Sequence, residues 1–235
     1  MQRFDERLNR LLEDCARDIG EDVATYVARA VGRQMIAEMR RTNHASLDEL
    51  LTHLADNGVF SEAAMPSVIA ALTDPERLRA LHATGLLDSP PEAAYDRITR
   101  AAADALNAPH AALSLIDVDR QFFKSKVGMG GMSAKERQTP LDRSVCQYAV
   151  ANGASLILED ARVDNVFKNH AAVRDGSLVA YLGVPLMDQD RNAIGTLCVY
   201  DTKPRVWGSG HVQVLSDLAE LAADRIFNSG NNPDR

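Results

Sequence analysis

Cysteines are the residues of this sequence whose types could support distinctive chemistry, and their spacing limits that chemistry. Cys15, Cys146 and Cys198 are far apart and odd in number, so they form neither a disulfide framework nor a CxxC metal pair. A thiolate with a second thiol in reach would support reductase chemistry, whereas buried cysteines otherwise pack as small apolar side chains. Three interpretations of Cys146 and Cys198 therefore stay open: core packing, ligand contact and redox chemistry.

Histidine and glycine spacing predicts neither a metal site nor a phosphate-binding loop. The histidines include no i, i+4 pair, and none has a cysteine at metal-ligand spacing. The glycine-rich stretch 128–131 follows the edge of a predicted strand and leads directly into no helix. We therefore interpret it as the start of a mobile lid over a neighbouring surface.

The elements that would position these residues begin with a helical region, residues 1–73. Apolar side chains recur there at helical spacing, first from Leu8 to Ile19 and then from Val23 to about Arg41. Acidic residues outnumber arginines in this region, and it contains no lysine. Such amphipathic helices must cover their apolar stripes, so we expect 1–73 to dimerise, to bind a partner or to pack on the rest of the chain.

Three helix starts are predicted from capping patterns. Ser46 precedes Glu49 at the spacing of a capping box, and Ser89 precedes Glu92 at the same spacing. Asp74 before a proline predicts an N-cap with the proline in the first helical turn.

Short strands replace helices from about residue 111. The predicted strands cover 111–117, 121–127, 155–160, 178–187 and 193–200, with a short helix at 144–151 and a closing helix after Ser209. Hairpin connections at both ends of this set indicate a mainly antiparallel sheet. The sequence therefore predicts an α+β fold in which helices flank the sheet and a lid over 128–151 encloses a concave site.

Six residues on the lid and the adjoining strands are candidates for ligand contact. Phe123 and Tyr181 would supply aromatic contacts, although either could belong to the core. Asp142, Gln147 and Asp160 would supply polar contacts, although the two aspartates could instead cap the elements that follow them. Cys146 would supply a soft contact.

Composition excludes several broad classes. The 235 residues carry a formal net charge of -7, which argues against a nucleic-acid binder because the field repels phosphates. No apolar run approaches the roughly 20 residues of a membrane span, and the charged N-terminus lacks the apolar core of a signal peptide. We therefore expect a cytoplasmic protein that binds neither nucleic acid nor membrane.

Several motifs occur in an order that is typical of one family. The segment 74–92 reads DPERLRALHATGLLDSPPE, and later stretches match at 119–125, 139–148, 159–162, 181–186, 195–201 and 204–207. Together they resemble a bacterial, sensor-type subclass of GAF domains over 74–227. Residues 1–73 resemble no family, and 228–235 read as a disordered tail.

The resemblance implies a PAS-like α+β fold that binds a small ligand or dimerises and acts on an effector. Because no kinase, cyclase or phosphatase segment is recognisable in the sequence, we expect a non-enzymatic sensor that works as a homodimer or through a partner kinase, cyclase or regulator. In this hypothesis a ligand or redox change closes the lid 128–151, shifts the flanking helices and changes an interface. The sequence leaves the ligand and any cofactor unknown.

Some members of the family have activities that this sequence supports poorly. Trp207 and the pair Gly210 and His211 depart from the cyclic-nucleotide signature, and Gln147 stands where a bilin site would have histidine. The cysteine cluster that free methionine sulfoxide reductases carry is absent from about 110–140. Two alternatives nevertheless stay open: a thiol-dependent reductase of that type, and a ligand-free dimerisation or adaptor protein.

Overall fold

The structure is a computed structural model that describes residues 5–18, 23–42, 44–46, 49–50, 53, 66–130 and 137–228. Its contacts divide the chain into two units, Met1–Glu62 and Ala63–Arg235. Most of the helix predicted to start at Ser46, most of the predicted tail and residues 131–136 of the predicted lid lie outside the described residues.

The described part of the N-terminal unit contains two helices that contact each other, α1 (Glu6–Asp18) and α2 (Val23–Arg41). Ala16 is buried, but four large apolar side chains are at least 40% exposed. These side chains are Leu8, Leu11, Val31 and Met35. The helical prediction is confirmed for these two segments.

The C-terminal unit contains a sheet and six helices within the described residues. The helices are α3 (Pro66–Leu72), α4 (Pro75–Ala83), α5 (Ala93–Ala105), α6 (Cys146–Asn152), α7 (Ala171–Arg174) and α8 (Ser209–Asn228). The strands are β1 (His110–Ile116), β2 (Arg120–Val127), β3 (Gln138–Pro140), β4 (Leu156–Leu158), β5 (Ala180–Met187) and β6 (Ala193–Asp201).

The strands form one antiparallel sheet in the order β3-β2-β1-β6-β5-β4. This arrangement confirms the predicted α+β fold with its antiparallel sheet. Strand β3 was not predicted from the sequence, because a three-residue strand that ends in Pro140 gives no alternating pattern.

Helices cover both faces of the sheet. Helices α5 and α8 contact each other and the sheet, and α5 lies on the face of Ser125, whose hydroxyl donates to Asp96 of α5 at 2.7 Å. Cys198 alternates with the residues of that face and contacts Cys146 at the start of α6, so α6 covers the opposite face. Helix α3 packs on α6 with Val68, Ile69 and Leu72 buried, and the contacts therefore group α3 with the C-terminal unit.

The two predicted caps in the described C-terminal unit have different outcomes. Asp74 caps α4 as predicted, since its carboxylate accepts from the backbone N–H groups of Glu76 and Arg77 at 2.8 and 2.9 Å. The capping box of Ser89 and Glu92 is wrong: Glu92 is the N-cap of α5 and makes no side-chain capping bond. The Ser89 hydroxyl instead donates to the Leu86 carbonyl and accepts from Lys124 Nζ.

Candidate functional site

An irregularity in the pairing of β1 with β2 decides which side chains reach the α6 face. Leu113 pairs with Ser125 but Ser114 pairs with Phe123, so Lys124 is an extra residue in β2. Phe123 and Lys126 consequently lie on the α6 face although they are three positions apart. Lys124 and Ser125, between them, both reach toward α5 and the turn before it.

A cavity of about 320 Å³ lies between α6 and this face of the sheet. Strands β1, β2, β5 and β6 supply its floor, and residues around α6 and α7 supply its walls. The lining consists of Ala112, Gln121, Phe123, Lys126, Met129, Gln138, Thr139, Arg143, Val145, Cys146, Ala172, Ser177, Leu178, Tyr181, Cys198 and Tyr200. A volume of this size is within the range that holds small organic ligands.

A pair of buried thiols forms part of the cavity wall. Cys146 at the start of α6 and Cys198 in β6 place their Sγ atoms 3.8 Å apart. The Tyr181 hydroxyl donates to Cys146 Sγ at 3.3 Å. Tyr181 can reach it because Gly183, two residues on, leaves room: a Cβ there would lie 2.1 Å from the Tyr181 hydroxyl oxygen.

The thiols influence each other's ionisation. The hydrogen bond from Cys198 lowers the pKa of Cys146, burial opposes this, and hydroxyls including that of Tyr181 lower it again. The same pairing and burial raise the pKa of Cys198 well above its usual range. The two sulfurs therefore behave as a unit that loses one proton readily and holds the second.

Two cationic side chains stand at the mouth of the cavity, and at least one of them is already paired with a carboxylate. Lys126 and Arg143 both belong to the lining, and the lining that the structure describes contains no carboxylate. Arg143 is paired with Asp175, which lies outside the lining. Burial raises the pKa of Asp175, but hydrogen bonds from Ser177 and Arg143 outweigh it and bring this pKa to about 2.

His170 is a buried histidine behind the cavity wall. Its ring lies in an edge arrangement near Tyr148, and its Nδ1 accepts from the backbone N–H of Ala172 at 3.3 Å. Burial lowers the pKa of His170, and the nearby Asp142 carboxylate opposes that effect only in part. His170 therefore fixes the start of α7 as a neutral ring.

The structure brings three of the six predicted contact residues together. Phe123, Cys146 and Tyr181 all lie in the cavity lining, and Tyr181 bonds to Cys146. Their role as ligand contacts stays a prediction.

The other three lie outside the lining. Asp142 is half-buried in the 3-10 turn Leu141–Arg143 before α6. The Gln147 amide donates to the carbonyl groups of Leu141 and Ser144 at 2.6 and 2.9 Å and so holds that turn. Asp160 accepts from the backbone N–H and the guanidinium of Arg162, as a residue that caps a turn would.

Sequence reasoning missed Lys126, Arg143 and Tyr200 as lining residues. Strand alternation could have found Tyr200, because it lies two residues after Cys198 on the same face. Lys126 could not be found that way, because the extra residue Lys124 breaks the alternation of β2.

The described ranges lack two further features, a metal-binding cluster and a membrane-spanning helix. Among those residues, no group of three or more histidine, cysteine or acidic side chains is arranged to hold a metal ion. The described helices also include none that combines the length and apolar character that crossing a bilayer requires.

Comparison with a curated protein gives a partial match. A cyclic di-GMP phosphodiesterase of Pseudomonas aeruginosa is 31% identical over 144 residues, which are 60% of this chain and 24% of that protein. The chain thus spans about a quarter of the length of this relative.

Solved structures and a family model complete the comparison. The GAF domain of an Acinetobacter phosphoenolpyruvate-protein phosphotransferase aligns with a TM-score of 0.49 and 18% identity, over 67% of this chain and 96% of that one. A free methionine-R-sulfoxide reductase of Neisseria meningitidis aligns with a TM-score of 0.48 and 17% identity, over 66% of this chain and 87% of that one. The model of the GAF domain matches residues 90–226, more than half of the chain. This protein therefore belongs to the GAF domain family, as its motifs predicted.

Proposed function

We propose that this protein is a non-enzymatic sensor module whose GAF domain binds a small anionic organic molecule in the cavity beside α6. The observation that carries the proposal is the lining itself: two cationic side chains and several aromatic rings surround about 320 Å³, without a carboxylate in the described lining. Few polar groups in a largely apolar cavity are typical of sites that orient a small ligand.

The arrangement favours a ligand with an acidic group and a flat body. Lys126 and Arg143 at the mouth would pair with a carboxylate or a similar anion. Phe123 and Tyr200 would contact an aromatic or unsaturated body, since both lie in the same lining.

The proposed output is a changed contact with a second copy or with a partner protein. Helix α6 forms the wall of the cavity and also carries α3, the first described helix after the N-terminal unit. A ligand that binds one position of α6 better than another would shift that equilibrium. The relative that shares this region is named a cyclic di-GMP phosphodiesterase, which supports a regulatory role beside a signalling enzyme such as a kinase, cyclase or phosphodiesterase.

The ligand proposal can be tested by comparing anionic aromatic probes with an uncharged one. Thermal shift and isothermal titration would compare benzoate and indole-3-acetate with benzamide, an uncharged analogue. We expect the carboxylates to bind, and Lys126→Met to weaken them by about tenfold or more because a charge-assisted hydrogen bond is lost. Arg162→Met is the matched control, because Arg162 is exposed and paired with Asp160 outside the lining. Equal binding of benzamide, or equal loss in both variants, would contradict an anion site.

The exposed apolar side chains of the N-terminal unit support our proposal that the protein forms a homodimer. Leu11 is 53% exposed on α1, and solvent exposure of several such residues is typical of an interface. Light scattering on a sizing column should show a dimer that Leu11→Glu weakens. Val163→Glu is the control, since Val163 is 78% exposed in the C-terminal unit. A dimer that binds neither carboxylate would favour the ligand-free adaptor instead.

The thiol pair favours one second candidate, a thiol-dependent reductase of the free methionine sulfoxide type. Two sulfurs 3.8 Å apart in a cavity wall have the geometry of a nucleophile and its resolving thiol. Turnover of free methionine sulfoxide with a dithiol reductant tests it. No turnover by the unmodified protein, or full turnover by Cys146→Ser, would remove this candidate.

A further inference from the structure

Cys146 and Cys198 place two thiols in contact in the cavity wall. The residues are 52 positions apart, yet the packing of α6 on β6 brings their Sγ atoms to 3.8 Å. Helix α6 has Cys146 as its first residue, and Cys198 lies in a central strand between β1 and β5. Only one of the two sulfurs belongs to the sheet, so the pair joins a short helix to the interior of the sheet.

The surroundings favour a thiolate at Cys146 rather than an inert buried thiol. The Tyr181 hydroxyl donates to Cys146 Sγ at 3.3 Å, and a donor at this position stabilises negative charge on the sulfur. The Cys198 thiol also lies at hydrogen-bonding distance and can act as a second donor. The lowered pKa of Cys146 agrees with this geometry.

Small molecules can reach both sulfurs through the cavity. Cys146 and Cys198 are at most 4% exposed, yet both belong to the lining of a cavity large enough for several water molecules. A hydroperoxide is small and uncharged, so neither burial nor the cations at the mouth exclude it.

We propose that Cys146 and Cys198 form a hydroperoxide-reactive dithiol that closes to an intramolecular disulfide. The Cys146 thiolate attacks the O–O bond of ROOH, so that an S–O bond forms, the O–O bond breaks and ROH leaves after taking a proton. The Cys198 sulfur then attacks the sulfenic acid, so that the S–S bond forms, the S–O bond breaks and water leaves with the Cys198 proton. Two molecules of a small thiol reductant restore the dithiol by exchange and leave as their own disulfide.

Closing the pair has a mechanical consequence. A disulfide holds its sulfurs about 2.05 Å apart, so the two Sγ atoms must approach each other from the observed 3.8 Å, by side-chain rotation, by a shift of α6 toward β6, or by both. Because α3 packs on α6, any shift of α6 would be transmitted to α3. This modification needs no reversibly bound ligand and therefore goes beyond the proposed sensing of an organic anion.

The first experiment uses the full chain with Cys15→Ser, because Cys15 is exposed and would react separately. Reduced protein is treated with hydrogen peroxide, alkylated and analysed by intact mass and peptide mapping. We expect an intact mass lower by two hydrogens, no alkyl label, a cross-link between the peptides of Cys146 and Cys198, and full recovery after dithiothreitol. Retention of both labels, added oxygen without the cross-link, or a link between two chains would overturn the proposal.

The second experiment separates the roles of the two sulfurs. In the same background, Cys198→Ser should stop at a sulfenic acid on Cys146 that dimedone traps, whereas Cys146→Ser should leave Cys198 unlabelled. The exposed Cys15 of the unmodified sequence is the matched control, and we expect Cys146 to react about tenfold faster than Cys15. Dimedone labelling of Cys198 in Cys146→Ser, or a slower reaction at Cys146 than at Cys15, would contradict the assignment of Cys146 as the attacking thiol.

Discussion

Lys124 lies in β2 with its side chain fully buried, which is rare for a lysine. Its Nζ contacts the Ser89 hydroxyl at 2.6 Å, the Pro90 carbonyl at 2.7 Å and a Glu92 carboxylate oxygen at 2.7 Å. The ammonium group therefore ties the turn before α5 to the sheet. Such a buried cation is tolerated because every proton it carries has an acceptor.

Lys124→Met should destabilise the C-terminal unit by about 3 kcal/mol, because it leaves the acceptors around Nζ without their donor. Urea unfolding followed by circular dichroism measures this loss. Lys203→Met is the matched control, since Lys203 is exposed in the turn after β6, and it should change stability by less than about 0.5 kcal/mol. Similar small losses in both variants would show that the Lys124 contacts contribute nothing.

Gly183→Ala should also be destabilising, by about 2 kcal/mol, because the new Cβ forces a well-packed ring out of place. The Cβ would lie 2.1 Å from the Tyr181 hydroxyl oxygen and 2.5 Å from the ring carbon that bears it. Gly210→Ala is the opposite control: a Cβ there meets open space in the first turn of α8. It should stabilise by about 0.5 kcal/mol. The two unfolding midpoints should therefore move in opposite directions, and a shared direction would contradict the close approach of Tyr181.

At the scale of elements, the buried His170, which lies at the start of α7 near Tyr148 of α6, should make the stability of the fold depend on pH. Burial lowers the pKa of His170, so the folded state holds this ring neutral. Below about pH 6.5 the unfolded chain binds a proton that the folded chain excludes. The contribution of His170 is therefore complete above that pH and is lost as the pH falls toward the folded value.

His170→Asn should flatten the stability profile below about pH 6.5, the pKa of histidine in the unfolded chain. The asparagine oxygen can still accept from the Ala172 N–H, so α7 keeps its cap. Free energies of unfolding at several pH values measure the slope. His211→Asn serves as the control, because His211 lies half-buried at the start of α8 and accepts from Gly208. An unchanged slope in His170→Asn, or the same change in both variants, would be inconsistent with a titrating His170.

Local signals predicted the elements well, and contacts distant in sequence explain the failures. Asp74 caps α4 because the backbone N–H groups that donate to its carboxylate are only two and three residues away. Ser89 had the same kind of local signal, but Lys124, 35 residues later, uses its hydroxyl instead. The extra residue in β2 has no signature in the sequence, so the burial of Lys124 and the exposure of Lys126 to the cavity could not be predicted.

The same contrast between local signals and contacts distant in sequence applies to the candidate site. Phe123, Cys146 and Tyr181 were predicted from elements that the fold does bring together around one cavity. Gln147 was expected to face a ligand, but the amide bonds to the carbonyl groups of Leu141 and Ser144 and thereby shapes the turn. The sequence alone does not distinguish a polar side chain on a short helix that contacts a ligand from one that bonds to the backbone of the neighbouring turn.

At the scale of the whole molecule, α3 belongs to the C-terminal unit, and we therefore expect it to contribute to the stability of that unit. A fragment 63–235 should unfold cooperatively, whereas 74–235 should be weaker by about 4 kcal/mol, because Val68, Ile69 and Leu72 no longer cover α6. Urea unfolding of both fragments beside the full chain measures the difference. Equal stability of the two fragments would mean that α3 adds nothing to the C-terminal unit.

The two outermost strands of the sheet restrict how copies of this protein can associate. Strands β3 and β4 have three residues each, and β3 ends in Pro140, which lacks a backbone N–H. Along the described parts of these two edges, a neighbouring copy therefore finds few backbone groups with which to continue the sheet, which disfavours edge-to-edge polymerisation. Growth into fibrils through these two edges is therefore disfavoured, whereas the homodimer proposed above, formed through helical surfaces, would stop at two copies.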